Sequence, residues 1–123
     1  MAGETLHEDA NILGPAILDR HRAISSLMEE LEAVDWYDQR IKASNDEQLK
    51  AILTNNRDEE KEHASMVLEW LRRHDPAFDK QLRTYLFTKG PIHDVGANAP
   101  AGQPAAAGGD GSLGIGSLRA ARG

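Results

Sequence analysis

Two apolar series with a period of seven run through the first third of the chain. Ile17, Ile24 and Leu31 form one; Leu27, Val34 and Ile41 form the other, offset by three. Sustained over this length, the spacing is an a/d seam, the mark of a helix packed lengthwise on another. It predicts a helix from about Pro15 to Ala43, on the order of 40 Å long at 1.5 Å rise per residue. Asn11 or Gly14 would cap it, with Pro15 in its first turn. A helix this long needs a neighbour of similar length.

The chain supplies that neighbour. Ser44-Asn45-Asp46-Glu47 has the spacing of a capping box. A second helical pattern then runs from about Asp46 to Arg73, with Arg72, Arg73 and His74 suiting its negative end. So short a turn makes the two helices antiparallel neighbours. Asp75-Pro76 reads as the cap and first residue of a third helix, ending near Thr88 before Gly90-Pro91. Phe78, Leu82, Tyr85 and Leu86 share its apolar face. The expected fold is all-α: an antiparallel two-helix hairpin plus a short C-terminal helix.

The apolar stripe of the second helix is interrupted. Steps of three or four from Leu49 reach Leu53, Asn56, Glu60, His63, Val67 and Trp70. Glu60-x-x-His63 therefore puts a carboxylate and an imidazole where the stripe should continue. A charge turned towards a core must be paired, neutralised or bound to metal. On the first helix, Glu30 borders the Leu27–Val34 seam. Counted back from the turn, it lies close to Glu60 and His63 across the hairpin. Two carboxylates and an imidazole then converge, a donor set that suits iron, zinc or manganese. A solvated face with local ion pairs is the alternative, and Lys61 and Glu62 fit it.

One hairpin holds half of a known recipe. Di-iron bundles use a Glu from each of two helices and a Glu-x-x-His from each of the other two. Two hairpins related by a two-fold axis would supply four Glu and two His in one four-helix bundle. Glu29 and Glu32, one turn apart with Trp36 a turn further, form a second acidic set on another face; spacing alone reads as ordinary acidic surface. Tyr37 follows Glu30 by seven and reads as packing.

Composition narrows the partners. The formal net charge of −6 and pI near 5.3 argue against nucleic acid or an anionic membrane. There is no cysteine, which excludes disulfides and thiolate metal sites. No run reaches the ~18 apolar residues of a membrane span, and no signal-peptide core is visible, so a cytoplasmic protein is expected.

After residue 92 the chain turns to Gly, Ala and Pro, a flexible and disordered linker over 93–111 with nothing to bury. Leu113, Ile115 and Leu118 restore apolar character within 112–123, as a tethered docking peptide would. Residues 1–14 form an N-terminal extension and 15–92 the helical domain.

Three long stretches resemble the encapsulated ferritins: residues 20–24, residues 28–40 (Met28-Glu29-Glu30-Leu31-Glu32 through Trp36-Tyr37-Asp38-Gln39-Arg40) and residues 56–64 around Arg57-Asp58-Glu59-Glu60-Lys61-Glu62-His63. Residues 68–73 are similar too. The resemblance implies a ferroxidase that oxidises Fe(II) with dioxygen at a di-iron centre between two subunits, with Glu30, Glu60 and His63 as ligands. It implies a metal-uptake site at Glu29, Glu32 and Trp36, and a supporting role for Tyr37. It implies dimers in a ring, usually a decamer, housed in an encapsulin nanocompartment that stores the iron. Leu113-Gly114-Ile115-Gly116-Ser117-Leu118-Arg119 is similar to the peptide that loads cargo onto the encapsulin shell; the family's usual Thr is Gly114 here, and a frequent second Arg is Ala120. A non-catalytic metal-binding helical cargo or scaffold module is the competing reading.

Overall fold

A computed structural model of the chain describes residues 6–96. Four helices follow in order: α1 (Ala10–Ala43), α2 (Glu47–His74), α3 (Pro76–Tyr85) and α4 (Ile92–Val95). No strand occurs among the described residues. The all-α hairpin expected from the sequence is present. The chain divides into two compact units at His74, the α1–α2 hairpin and the α3–α4 segment.

The helix ends correct several details. Asp9, not Asn11, caps the first turn: its carboxylate accepts the Asn11 N–H at 2.8 Å. That turn is separated from the rest of α1 at Gly14, where φ is 80° and ψ 167°, and Pro15 restarts the helix. Glycine is the residue that takes this conformation without steric cost. Ser44 does not cap α2. It closes α1, donating its N–H to Arg40 O, while Asp46 caps α2 by accepting the Leu49 N–H at 3.1 Å. A capping box would need the serine one step before the helix, and Asn45 and Asp46 intervene.

In the second unit, Asp75 caps α3 as expected, accepting the Phe78 N–H at 3.0 Å. The helix ends at Tyr85 rather than Thr88. Leu86 is already extended, and Phe87 takes φ 60° with its ring fully exposed. The Thr88 hydroxyl turns back to donate to Tyr85 O at 2.7 Å. That hydroxyl occupies a carbonyl which a continued helix would have given to a backbone N–H.

Within the hairpin the seam is more finely divided than the heptads suggest. Leu27, Val34 and Ile41 are half-buried, as are Ala23, Glu30 and Tyr37 at the interleaved steps. The other series, Ile17, Ile24 and Leu31, is 41–55% exposed and belongs to an outer stripe together with Met28. On α2 the innermost series is Arg57, Ala64 and Leu71; the last two are 8% and 2% exposed. Leu49, Ile52 and Met66 are open, at 46–59%. One hairpin thus leaves large apolar side chains exposed on both helices.

Candidate metal centre

The inner face of α1 carries Glu30 between Leu27 and Val34, and α2 carries Glu60 between Arg57 and Ala64. Ala64 has the smallest side chain on the inner series that includes Leu71. It leaves room for the opposing helix beside the polar cluster. Glu60 and His63 lie one turn apart, so one sits towards the seam and the other on its rim.

The geometry matches that placement. His63 Nδ1 lies 3.0 Å from Glu60 Oε1 and 3.7 Å from Glu30 Oε2. One donor atom from each of the three residues falls within 4.8 Å of the others. Among the described residues this is the one group of three or more His or acidic side chains so gathered. The carboxylates are about a quarter exposed and the imidazole about half. The cluster is therefore at the open edge of the hairpin, where a cation or a second protein surface reaches it.

Electrostatics mark the trio as under-neutralised. Burial and a hydrogen bond to Glu60 raise the Glu30 carboxyl above its usual range. The same hydrogen bond, with His63 adding to it, lowers Glu60 against the effect of burial. Opposite shifts across one contact mark two carboxyl groups whose titrations are tied together. The hydrogen bond to Glu60 also raises His63 above its ordinary value, with Glu30 contributing. A divalent cation placed among the three donor atoms can satisfy all three groups. Two hard oxygens and an imidazole nitrogen fit iron, manganese or zinc, and exclude a thiolate-dependent site.

The other residues singled out are not among the donors gathered in this trio, though the charge of Glu29 helps to raise Glu30. Glu29 is exposed, Glu32 half-buried and Trp36 49% exposed. The Arg40 guanidinium covers the Trp36 ring at 6.0 Å and the Tyr37 ring at 5.4 Å, a cation–π arrangement that spacing does not reveal. Two further features escaped sequence reasoning. Arg57 bridges the helices to Asp38 at 2.9 Å while its Nε holds Asp58 at 3.2 Å. Glu69 is gripped by Arg72 and Arg73, each at 2.7 Å, which pulls its carboxyl down to about 2. The signal for Arg57 was its place seven before Ala64 and fourteen before Leu71, on the innermost series of α2.

Comparison with known proteins gives a consistent picture. Residues 5–89 match the family model described as EncFtn-like. The chain is 56% identical over 126 aligned positions to the encapsulated ferritin-like protein of Rhodospirillum rubrum, covering 96% of this chain and 90% of that one. It is 53% identical to a ferritin-like protein of Thermotoga maritima over 72% of its own length and 78% of the relative's. It is 36% identical to the encapsulin nanocompartment cargo protein EncC of Myxococcus xanthus, over 73% of this chain and 76% of that one. A crystal structure of protein ne0167 from Nitrosomonas europaea superposes with a TM-score of 0.70 at 61% identity, covering 72% of this chain and 98% of that one.

Proposed function

The chain belongs to the EncFtn-like family, the encapsulated ferritins, and from that premise we propose that it is a ferroxidase, oxidising Fe(II) to Fe(III) with dioxygen at a centre completed between two copies. The convergence of Glu30, Glu60 and His63 at the rim of the hairpin carries this reading. Fe(II) is the substrate. Three donors from one chain are too few to hold two metal ions, whereas a two-fold pair offers six. The apolar surface left open beside the trio gives such a pair its driving force.

Each residue has a task. Glu60 touches both Glu30 and His63 and is best sited to bridge two cations. Glu30 and His63 bind at the ends. The negative charge of the carboxylates favours Fe(III) over Fe(II), which promotes loss of one electron from each of two ions to dioxygen. Glu29 and Glu32, with Trp36, would gather Fe(II) at the acidic surface, and Tyr37 would stand behind the ligands as a hydrogen-bond donor.

The relatives support a place of work. One of them is by name a cargo protein of an encapsulin nanocompartment. Alignment with another covers 96% of this chain, too much for 112–123 to fall outside it. That segment lies outside the described residues; its docking role rests on the Leu113–Arg119 motif. We read the protein as a ring of dimers, a decamer in the family's usual form, loaded into an encapsulin shell that stores the iron.

Stopped-flow oxidation of Fe(II) tests the chemistry. Glu30→Ala, Glu60→Ala and His63→Ala should each slow the reaction by ~100-fold or more, since each removes an interaction made to the reacting metal. Wild-type rates in all three variants would remove the proposal. Metal uptake without dioxygen consumption by the unaltered protein would favour the non-catalytic module.

A further inference from the structure

A single chain brings its ligands together across two helices, so something must set how those helices slide and roll against each other. Apolar contacts along the seam are non-directional. Shifting α2 by one residue would move Glu60 and His63 by ~1.5 Å relative to Glu30. Metal–donor distances tolerate only ~0.2 Å. The three-residue turn at Ser44–Asp46 ties one end of the hairpin, and Arg20 reaches His74 O at the other only at 3.5 Å.

Between these ends, Arg57 makes a strong directional contact across the helices, apart from the cluster itself. Arg57 Nη1 meets Asp38 Oδ1 at 2.9 Å, and its Nε meets Asp58 at 3.2 Å. The Arg57 side chain as a whole is 24% exposed, its stem lying along the hairpin. It occupies the first place of the Arg57–Ala64–Leu71 series, where an apolar residue would pack. Asp38 stands eight residues beyond Glu30 on α1, and Arg57 six before His63 on α2. The two cross-helix contacts thus share one antiparallel register to within a residue or two. Arg57 lies on the innermost series of α2, and His63 stands ~120° round the helix from it, on the rim of the seam. Contacts at two angles around α2 fix roll as well as slide.

We infer that Arg57 is a positioning residue for the Glu30–Glu60–His63 cluster: paired with Asp38, it holds the register and roll of α2 against α1 so that the three donors reach one cation. The inference rests on the metal reading above. Arginine is needed because its rigid fork serves Asp38 and Asp58 at once, which a lysine ammonium on a flexible stem does not.

Titration of the full-length, assembled protein with Co(II), followed by its visible absorption, tests this without turnover. Arg57→Ala should weaken Co(II) binding by ~10-fold or more, in line with supporting residues of other metal sites, and change the absorption band. Arg57→Lys should fall between Arg57→Ala and the unaltered protein. The exchanged pair Asp38→Arg with Arg57→Asp should recover most of the loss, because Arg at 38 would again face two carboxylates. Circular dichroism reports folding; if Arg57→Ala does not fold, Arg57→Lys and the exchanged pair carry the comparison. Unchanged Co(II) affinity and spectrum in Arg57→Ala, or a loss that the exchanged pair does not recover, overturns the inference. If Glu60→Ala loses Co(II) while Arg57→Ala keeps it, the inference falls and the metal reading stands. If the unaltered protein takes up no Co(II), both fall.

Discussion

Glu69 and Glu30 are carboxylates of one hairpin with opposite surroundings, and the contrast explains which of them can take a metal. Two guanidiniums hold Glu69 ionised at neutral pH and occupy its oxygens. Glu30 faces Glu60 instead, and burial together with that carboxylate raises its carboxyl above the usual range. Satisfied acids are structural, and unsatisfied ones are available. The Glu69 pairs are partly exposed, at 42% for the carboxylate, so screening reduces their worth to about 1 kcal/mol. Glu69→Gln should lower unfolding stability by that amount at pH 7, measured by urea denaturation. Its folded-state value is depressed from 4.5 to about 2, so the contribution is present above the higher figure and lost as pH falls through the lower one. The difference between variant and parent should therefore shrink below pH 4.5 and vanish near pH 2.

At the scale of elements, the helix joint between α1 and α2 separates two serviceable caps from one that works. Asp46→Ala should cost about 1 kcal/mol, the usual loss on removing an N-cap acceptor. Ser44→Ala should cost less, because its hydroxyl supports only the Asp46 N–H at 3.1 Å within the turn. Equal losses in thermal or urea unfolding would restore the capping-box reading. The joint illustrates how far the sequence reaches. Helix existence, order and direction follow from periods of seven and from a short polar turn, signals repeated over many residues. The trio of Glu30, Glu60 and His63 was legible for the same reason, as polar residues breaking an apolar period. Cap identity turns on one residue, and three neighbouring positions there all carry a suitable oxygen. The split of the α1 heptads was hidden too. Ile17, Ile24 and Leu31 are as apolar as Leu27, Val34 and Ile41, and only the angle of α2 decides which set is covered. Arg57 with Asp38, and Arg40 over two aromatic rings, depend on side-chain reach, which spacing does not encode.

For the whole molecule, the outer apolar stripes decide what assembles. On α1 the exposed series Ile17, Ile24 and Leu31 continues at the next heptad step to Asp38, which pairs with Arg57. On α2 the series Leu49, Asn56, His63 and Trp70 passes through the metal cluster, with Ile52 and Met66 beside it. The exposed apolar residues thus form two series, Ile17, Ile24 and Leu31 on α1 and Leu49, Ile52 and Met66 on α2, each a candidate face for assembly. The proposed ring of dimers needs two such faces, one to form the dimer and one to join dimers. For the docking role proposed for 112–123, removing that segment should end co-purification with the shell protein while Fe(II) oxidation keeps its rate. The two faces can be separated in turn. Ile52→Glu with Met66→Glu introduces charge beside the cluster and should abolish pairing there, so sedimentation shows smaller particles and oxidation falls with them. Ile24→Glu with Leu31→Glu should also reduce particle size, to a dimer, yet leave each centre intact and oxidation per chain within a factor of about two. Loss of oxidation in the second variant, or its retention in the first, would show that the catalytic contact had been assigned to the wrong face.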